Sequence, residues 1–445
     1  MMSAVLNATT GRGASQATAL VAGDPAQAIA FGEGATVCRA HFQREVLALA
    51  SRLPAHAHAI NLCEDRYRFL VAFCAAAVRG QATLMPPARA PSVIEEIRRR
   101  HPDSHVLDDE AFEGLDETVG TLPAIDPGAT VAIGFTSGST GQPQANPKTW
   151  GAFLASTAQN LAALDDLLAP DAITPLVATV PPQHMYGMEM SVLLPLLGPV
   201  AVHTGKPFFP GDVARALGEA LRPPLLVTTP VHLRALVESG IALAPLAGIV
   251  TATAPLPVAL ARAAEARFGA EVRELFGSTE TCVIARRRTA VDTAWTPLPG
   301  VRLQPQPDGT LVEAPHLHAP VVLADLVEVR GDGFILHGRS SDLLEIAGKR
   351  ASLGDLTRKL LAVPGVIDGV VFQLDEADAA GVRRVAALAV APGIDARAIG
   401  AALRASVDPV FLPRPLRCVA ALPRNETGKL PRQALLALVK GASQS

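Results

Sequence analysis

The sequence contains little lysine and few aromatic residues. Only six of its 39 basic residues are lysines, at positions 148, 206, 349, 359, 429 and 440, and aromatic residues make up 4% of the 445 residues. The formal net charge is −3, and no basic run is interleaved with aromatic residues, so the basic face of a typical nucleic-acid-binding protein is absent. We therefore expect no nucleic-acid partner. Because arginine fills most basic positions, each lysine that is present is a stronger functional candidate than usual.

Cysteine is also sparse, with residues 38, 63, 74, 282 and 418 forming no CxxC pair and no Cys/His cluster. This excludes a structural zinc site of the usual spacing and indicates reduced thiols and a cytoplasmic location. The N-terminus has no basic segment followed by an apolar core, so no signal peptide is expected. The uncharged stretch at residues 241–260 is interrupted by proline, glycine and threonine, which favours a buried strand followed by a helix start over a membrane span.

The order of strand and helix patterns predicts two domains. From residue 129, short apolar runs rich in β-branched residues alternate with helical patterns, which is typical of an α/β fold with mostly parallel strands. Hairpin signals follow at Asp308-Gly309 and around Gly331-Asp332-Gly333. We expect a large N-terminal domain at residues 1–338, with residues 1–20 disordered, and a small α+β C-terminal domain at residues 339–445.

A loop rich in glycine, serine and threonine follows the strand pattern at residues 129–135, in the sequence GFTSGSTG (134–141). Its backbone N–H groups and hydroxyls are suited to an oxyanion such as phosphate. It is not a Walker loop, because the three Gly-Lys pairs of the chain are followed by Pro, Arg and Leu. It is not a serine-hydrolase elbow either, since no GxSxG surrounds Ser137 or Ser139. Taken alone, the loop predicts phosphate binding or a flexible linker.

Six further segments accompany this loop in the order found in the adenylate-forming (ANL) superfamily, which the sequence resembles over residues 40–440. This superfamily contains acyl-CoA and aryl-CoA synthetases, adenylation domains of peptide synthetases, and luciferase. With the loop included, the seven segments are TSGSTGQP (136–143), PPQHMYG (181–187), TATAPL (251–256), LFGSTET (275–281), LAD (323–325), GRSSDLLEIAGKR (338–350) and LPRNETGKLPRQAL (422–435).

The resemblance implies the fold, a reaction and its cofactors. The fold is a large multi-sheet α/β domain with a small mobile α+β C-terminal domain. The reaction is ATP-dependent activation of a fatty or aryl carboxylic acid as an acyl-adenylate with release of pyrophosphate. The acyl group then passes to the phosphopantetheine thiol of CoA or of an acyl carrier protein. The implied cofactors are ATP and Mg²⁺, and no membrane span is expected.

The resemblance also implies a role for individual residues. Lys429 contacts the α-phosphate and the substrate carboxylate, Thr279 the α-phosphate, and Glu280 holds Mg²⁺, while His184 lines the acyl pocket. These four are the candidate catalytic residues. The candidate nucleotide-binding residues are Thr136, Ser137, Gly138, Ser139, Thr140 and Gly141 on the phosphates, Phe276 and Gly277 in the adenine-binding segment, and Asp325 and Arg339 on the ribose.

Each assignment has a plainer alternative. Glu280 is also explained as a carboxylate at a helix N-terminus, where the macrodipole favours it. Asp325 and Arg339 are also explained as a surface ion pair, His184 as a core histidine with satisfied hydrogen bonds, and Lys429 as a solvated lysine after a glycine turn.

The chain departs from the superfamily pattern at several positions. The loop lysine is replaced by Gln144, with Lys148 as a candidate substitute, and Trp150 stands where histidine is frequent. Thr251-Ala252-Thr253 replaces Ser-Gly-Gly, and Ala324 replaces a glycine. The resemblance further implies a hinge at residues 340–342, with Ser341 as the pivot, and a thiol tunnel near Gly348.

Two other functions remain open at this point. Because Gln144 replaces the loop lysine, the chain is alternatively a non-catalytic, nucleotide-binding member of the same fold. It is alternatively an adenylate-forming enzyme that hands its product to an amine or to oxygen. The acid, and the choice between CoA and a carrier protein, are not readable from the sequence.

Overall fold

The computed structural model describes residues 17–137, 143–339, 343–346, 349–377, 383–424 and 430–441. Backbone contacts divide the chain into two compact units. The first comprises Met1–Val227, Ile241–Gly248 and Gly277–Val283, and the second comprises Thr228–Gly240, Ile249–Phe276 and Ile284–Ser445. The domain boundary expected at residue 339 stays a prediction.

Strands and helices alternate along much of the described chain. The strands are β1 (Ala28–Gly32), β2 (Ala35–Cys38), β3 (His58–Asn61), β4 (Ala82–Met85), β5 (Ser104–Leu107), β6 (Thr130–Ser137), β7 (Pro143–Thr149), β8 (Thr174–Ala178), β9 (Val200–His203), β10 (Leu225–Thr228), β11 (Gly248–Thr251), β12 (Val272–Ser278), β13 (Cys282–Arg287), β14 (Thr296–Pro297), β15 (Arg302–Gln306), β16 (Gly309–Glu313), β17 (Val321–Leu323), β18 (Asp325–Arg330), β19 (Gly333–Arg339), β20 (Leu343–Ile346), β21 (Lys349–Ser352), β22 (Asp368–Ala377), β23 (Arg383–Val390) and β24 (Leu416–Cys418).

The helices are α1 (Arg39–Arg52), α2 (Arg66–Val78), α3 (Pro91–Arg100), α4 (Trp150–Leu164), α5 (Met185–Met188), α6 (Leu194–Leu197), α7 (Pro210–Gly218), α8 (Pro230–Ser239), α9 (Val258–Phe268), α10 (Leu353–Leu361), α11 (Ala396–Leu403) and α12 (Arg432–Lys440). A π-helical stretch, Glu189–Leu193, joins α5 to α6 without a break. None of the helices in the described part of the chain is long and apolar enough to cross a bilayer.

Parallel strands form both sheets of the first unit, as the alternating pattern predicts. One sheet has the order β5-β3-β4-β6-β7, in which β7 alone is antiparallel to its neighbour. In the other, β10, β8, β9 and β1 are parallel, and β2 pairs antiparallel with β1. The helix α2 is buried over nearly its whole length and packs on β3 and β4, because its sequence RYRFLVAFCAAAV is apolar on almost every side.

The second unit contains the antiparallel elements that the sequence predicts. The turn between β15 and β16 lies at residues 307–308, and the turn between β18 and β19 at residues 331–332, so both hairpins are confirmed. At the C-terminal end, α10 and α11 pack on one face of β23, where Val385 and Ala387 are buried, and α12 packs on the opposite face against Leu388. This is the period-2 alternation of a strand that is covered on both faces. The expected strand and helix start within residues 241–260 are β11 and α9.

The helical segment after β8 is packed directly against the chain that precedes it. A Cβ built on Gly187 would lie 1.9 Å from the carbonyl oxygen of Pro181, so no side chain fits at residue 187 without moving the backbone. This contact fixes the angle at which α5 leaves residues 181–184, and therefore the placement of His184.

Replacing Gly187 with alanine is expected to destabilise the protein. In an open helix this change stabilises by up to about 1 kcal/mol, but here the methyl group collides with a carbonyl, and we expect the melting temperature to fall by about 5 °C or more. Gly211→Ala in α7 is the matched control, because its Cβ would meet no atom within 4 Å. Circular-dichroism melts of the two variants test this, and a Gly187→Ala protein that melts with the wild type would contradict it.

Candidate active site

The glycine- and hydroxyl-rich loop connects β6 to β7 in the first unit. Thr136 pairs with Gln144 and Ser137 with Pro143 at the ends of the two strands. Gly138, Ser139, Thr140 and Gly141 lie outside the described residues, as do Lys429, Gly348 and the hinge at residues 340–342. The carboxyl ends of β6 and of the parallel strand β4 lie side by side, and open α/β sheets bind ligands at the carboxyl ends of their strands.

A cleft at these strand ends brings two of the candidate catalytic residues together. His184, the N-cap of α5, and Thr279 both line it, beside residues from the ends of β4 and β6. A Cβ on Gly134 would lie 2.9 Å from Cγ2 of Thr279, so the threonine methyl rests against the backbone of β6. The cleft is lined by Met85, Pro86, Pro87, Gly134, Phe135, Gln183, His184, Met185 and Thr279.

Thr279 and Glu280 lie in a tight turn between β12 and β13. Ser278 and Thr281 close the turn reciprocally, because the N–H of each residue donates to the side-chain oxygen of the other, at 3.2 and 3.1 Å. Gly277 is required beneath it, since a Cβ there would lie 2.1 Å from the carbonyl oxygen of Cys282. Glu280 is therefore in a strand–strand turn, and the alternative that places it at a helix N-terminus is wrong.

Cys282 itself adopts a left-handed backbone conformation, with φ at 58°. A residue with a Cβ in this region costs about 1–2 kcal/mol relative to ordinary backbone. Such strain persists only where surrounding contacts fix the chain, so the turn at residues 278–282 has to be held by its neighbours.

A buried polar group not identified from the sequence lies beneath this turn; we call it the turn anchor, and it comprises Lys148, Asn160 and Glu189. The Nζ of Lys148, 6% exposed, donates to the carbonyl of Glu280 at 2.7 Å. Both carboxylate oxygens of Glu189, 1% exposed, accept the backbone N–H of Val283, at 3.2 and 3.1 Å, and one also accepts the Asn160 amide at 2.9 Å.

The electrostatics of the turn anchor are set by burial. Burial raises the pKa of Glu189 to about 7, although hydrogen bonds from Asn160 and Val283 and the charge of Lys148 oppose the rise. Burial and the charge of Glu189 raise the pKa of the Cys282 thiol to about 12, so this cysteine stays protonated at neutral pH. Near neutral pH, Glu189 therefore changes protonation while the Cys282 thiol does not.

Lys148, the candidate substitute for the missing loop lysine, makes its hydrogen bond elsewhere. Its ammonium is directed at the Glu280 carbonyl under the turn. A signal for the turn anchor was present in the sequence, because Glu189 is the single acidic residue in the apolar run at residues 188–197, and such an acid is rarely buried without a partner.

In the second unit, Phe276 belongs to an aromatic cluster. Its partly buried ring lies 5.4 Å from the ring of Trp295 and 6.0 Å from that of Phe334, measured between centroids. The guanidinium of Arg287 stacks on Trp295 at 4.3 Å. This packing holds Phe276 at the end of β12, and its expected role in adenine stacking stays a prediction.

Asp325 and Arg339 face each other across β18 and β19. They are cross-strand partners, and Nε of Arg339 lies 3.5 Å from Oδ1 of Asp325. The arginine is 60% exposed, so the pair by itself adds little stability. The ribose contact and the surface ion pair are both compatible with this geometry, and the ribose role stays a prediction.

The segment at residues 251–256 is fixed by a second buried carboxylate. Glu274 accepts the backbone N–H of Leu256 at 3.0 Å, the side chain of Arg287 at 2.7 Å and the hydroxyl of Thr289 at 2.6 Å. Thr253, which stands where the superfamily has glycine, has φ at 82°. A β-branched residue is strained in this conformation, which gives a physical reason for the usual glycine.

The titration of Glu189 predicts a pH dependence of stability. The pKa of Glu189 is raised in the folded state, so the protonated carboxyl contributes stability that the ionised form does not. Relative to a Glu189→Gln variant, this contribution is fully present below about pH 4.5 and is lost as pH rises through 7. The loss is on the order of 3 kcal/mol. We expect the wild-type melting temperature to fall relative to the variant between pH 5.5 and 8.5. Calorimetric melts across this pH range test the prediction, with Glu95→Gln, at an exposed residue, as the control. Melting temperatures of wild type and Glu189→Gln that change in parallel with pH would contradict the prediction.

Comparison with known proteins places these features in a family. A model of the AMP-binding enzyme family matches residues 23–313. A 4-coumarate–CoA ligase from Rhodobacter capsulatus is 31% identical over 299 residues, which cover 67% of this chain and 74% of that protein. A sulfoacetate–CoA ligase from Cupriavidus necator is 27% identical over 405 residues, which cover 80% of this chain and 76% of that protein.

A solved structure, that of ATP-bound MatB from Rhodopseudomonas palustris, has the same fold, with a TM-score of 0.80 at 16% identity and coverage of 95% of this chain and 97% of that one. The α/β fold expected from the sequence is therefore confirmed. From the family match and the ligase relatives together, the chain belongs to the AMP-binding enzyme family of the adenylate-forming superfamily, in the class of AMP-forming acid–thiol ligases.

Proposed function

We propose that this chain uses ATP to activate a carboxylic acid as an acyl-adenylate and then transfers the acyl group to a phosphopantetheine thiol of CoA or of an acyl carrier protein. The proposal rests mainly on the cleft of the first unit, where the end of β6, His184 and Thr279 meet. An aryl acid is the first candidate and a fatty acid the second, because the relative with 31% identity is a 4-coumarate–CoA ligase.

The first step is attack of a carboxylate oxygen on the α-phosphorus of ATP. The new bond joins this oxygen to phosphorus, the bond between the α-phosphorus and the bridging oxygen breaks, and pyrophosphate leaves with that electron pair. Charge spreads over phosphoryl oxygens, so positioned donors supply most of the catalysis. Backbone N–H groups and hydroxyls of residues 136–141 are proposed to hold the β- and γ-phosphates, and Thr279 and Lys429 the α-phosphate.

Glu280 is proposed to hold Mg²⁺. In the described residues, no three or more His, Cys, Asp or Glu side chains form a metal-binding group. A single carboxylate on a fixed turn nevertheless suits this ion, which commonly takes one or two carboxylates together with phosphate oxygens. When bound, the ion supplies positive charge to the pyrophosphate leaving group.

The adenosine is proposed to contact Phe276, Gly277, Asp325 and Arg339. Phe276 stacks on adenine next to Gly277, and Asp325 accepts the ribose hydroxyls with Arg339 beside it. The aromatic cluster behind Phe276 supports this, because it fixes the ring without the nucleotide.

The second step is attack of a thiolate sulfur on the acyl carbon of the adenylate. A carbon–sulfur bond forms, the bond between the acyl carbon and the phosphate oxygen breaks, AMP leaves, and the thiol proton is released to solvent. His184 is proposed to line the acyl side of the cleft during both steps. We place the reaction in the cytoplasm, because all five cysteines are free thiols.

Removing Lys429 is expected to abolish adenylation. With a panel of aryl and fatty acids, wild type should catalyse acid-dependent exchange of pyrophosphate into ATP, and Lys429→Ala should lower the exchange rate by about a hundredfold or more, because the α-phosphate loses its charged donor. Lys440→Ala is the control, since this exposed lysine pairs with Glu376 at the surface. Exchange at the wild-type rate in Lys429→Ala would remove the assignment, and Mg-ATP binding without exchange for any acid would favour the non-catalytic alternative.

The acceptor is expected to be a thiol. When the enzyme is supplied with ATP and an acid that supports exchange, mass spectrometry should detect a thioester with CoA or with a phosphopantetheinylated carrier protein. An amide or an oxidised product with no thioester would instead favour the alternative in which the adenylate reacts with an amine or with oxygen.

A further inference from the structure

Two ends of the Thr279–Glu280 turn are bound by side chains from two other elements. At one end, the carbonyl of Glu280 accepts Lys148, on β7. At the other, the N–H of Val283 donates to Glu189, in the π-helical stretch after His184. The strand after the phosphate loop and the helical segment after His184 thus both reach the same turn. Their immediate neighbours line the cleft: β6, which pairs with β7, and α5, which continues into the π-helical stretch.

The turn is held from its other side as well. The Thr279 methyl rests on the backbone of β6 at Gly134, so the turn cannot move toward that strand. The left-handed conformation of Cys282 lies between the two bound backbone groups and needs them in order to persist. The turn anchor therefore fixes both the position and the backbone direction of the segment that carries Thr279 and Glu280.

We propose that Lys148 and Glu189 are positioning residues for the adenylation reaction, acting on the Mg²⁺ and α-phosphate contacts through the Glu280 turn. This inference rests on the proposed function. Lys148 does not replace the missing loop lysine by touching a phosphate, because its ammonium is bound to the carbonyl of the residue that is proposed to hold the metal.

Burying one ammonium and one carboxylate is a costly way to hold a turn, which supports a specific role for Lys148 and Glu189. Taking a carboxylate and an ammonium out of water is unfavourable unless their geometry is good and their hydrogen bonds are made. Apolar residues of similar size would fill the same space at lower cost, but they have no donor for a carbonyl and no acceptor for an N–H. What the pair provides is a fixed placement for two backbone groups.

The test uses Lys148→Met, which removes the ammonium and keeps the length of the side chain, with the exposed Lys206→Met as control. In pyrophosphate exchange, Lys148→Met is expected to lower kcat about tenfold or more and to raise the Mg²⁺ concentration for half-maximal rate about threefold or more, with the KM for the acid unchanged. A loss of folded protein alone would lower kcat without shifting the Mg²⁺ dependence, and that result would overturn the inference.

A double-mutant cycle with Glu280→Gln separates action through the turn from independent effects. If Lys148 acts through Glu280, adding Lys148→Met to Glu280→Gln should produce little further shift in Mg²⁺ dependence, whereas additive shifts would overturn the inference. Glu189→Gln, which keeps the shape and one acceptor, repeats the cycle if Lys148→Met does not fold.

Hydrogen exchange gives a readout that needs no activity. Mass spectrometry of peptides covering residues 277–283 should show faster amide exchange in Lys148→Met and Glu189→Leu than in wild type and Lys206→Met, because the Glu280 carbonyl loses its donor in the first variant and the Val283 N–H loses both acceptors in the second. Unchanged protection of these amides would overturn the inference even where the protein catalyses pyrophosphate exchange. A wild type without pyrophosphate exchange would remove the proposed function, while this measurement would still decide whether the two residues hold the turn.

Discussion

The buried carboxylate of Glu189 accepts the backbone N–H of Val283 with both oxygens, and the placement of the Thr279–Glu280 turn follows from this contact. The turn contains a glycine that admits no side chain and a cysteine in left-handed backbone, so its own sequence does not make it rigid. Hydrogen bonds from Asn160 and Val283 and the nearby charge of Lys148 offset part of the cost of ionising the carboxylate at this depth. Leaving a buried donor or acceptor without its partner generally costs about 1–3 kcal/mol, so the turn and the core beneath it are energetically linked.

The same solution recurs where other strands end. Arg66, fully buried on α2, donates to the carbonyls of Ala178 and Val180 at 2.9 Å, where β8 runs into the segment that leads to His184. In the second unit, Glu274 binds the N–H of Leu256 after β11. Segments that serve a binding site leave the regular ladder, and their buried backbone groups then need other partners. Long charged side chains supply these partners from a distance.

The sequence predicted the strands and helices better than it predicted the side-chain contacts between distant residues. Apolar runs located β8, β9 and β10, and two residues that the motifs single out, His184 and Thr279, line one cleft. The strand β7 was missed, since PQANPKT contains two prolines and few strand-forming residues; it exists because it lies at a sheet edge, where proline is tolerated. The pairing of Lys148 with the Glu280 carbonyl joins residues 132 positions apart, and no periodic pattern carries that information.

The position of Lys148 also changes what the missing loop lysine means. In the proposed site, a lysine at residue 144 would add positive charge beside the triphosphate, whereas the ammonium of Lys148 is bound to the Glu280 carbonyl under the turn. In the proposed reaction, stabilisation of the phosphate charges then falls to backbone N–H groups, to the metal ion and to Lys429. Because such donors act through their placement and not through net charge, the geometry of the Glu280 turn matters more in this chain than in one that keeps its loop lysine. The substitution at Gln144 therefore points to a redistribution of roles within the site and is not by itself a sign of lost catalysis.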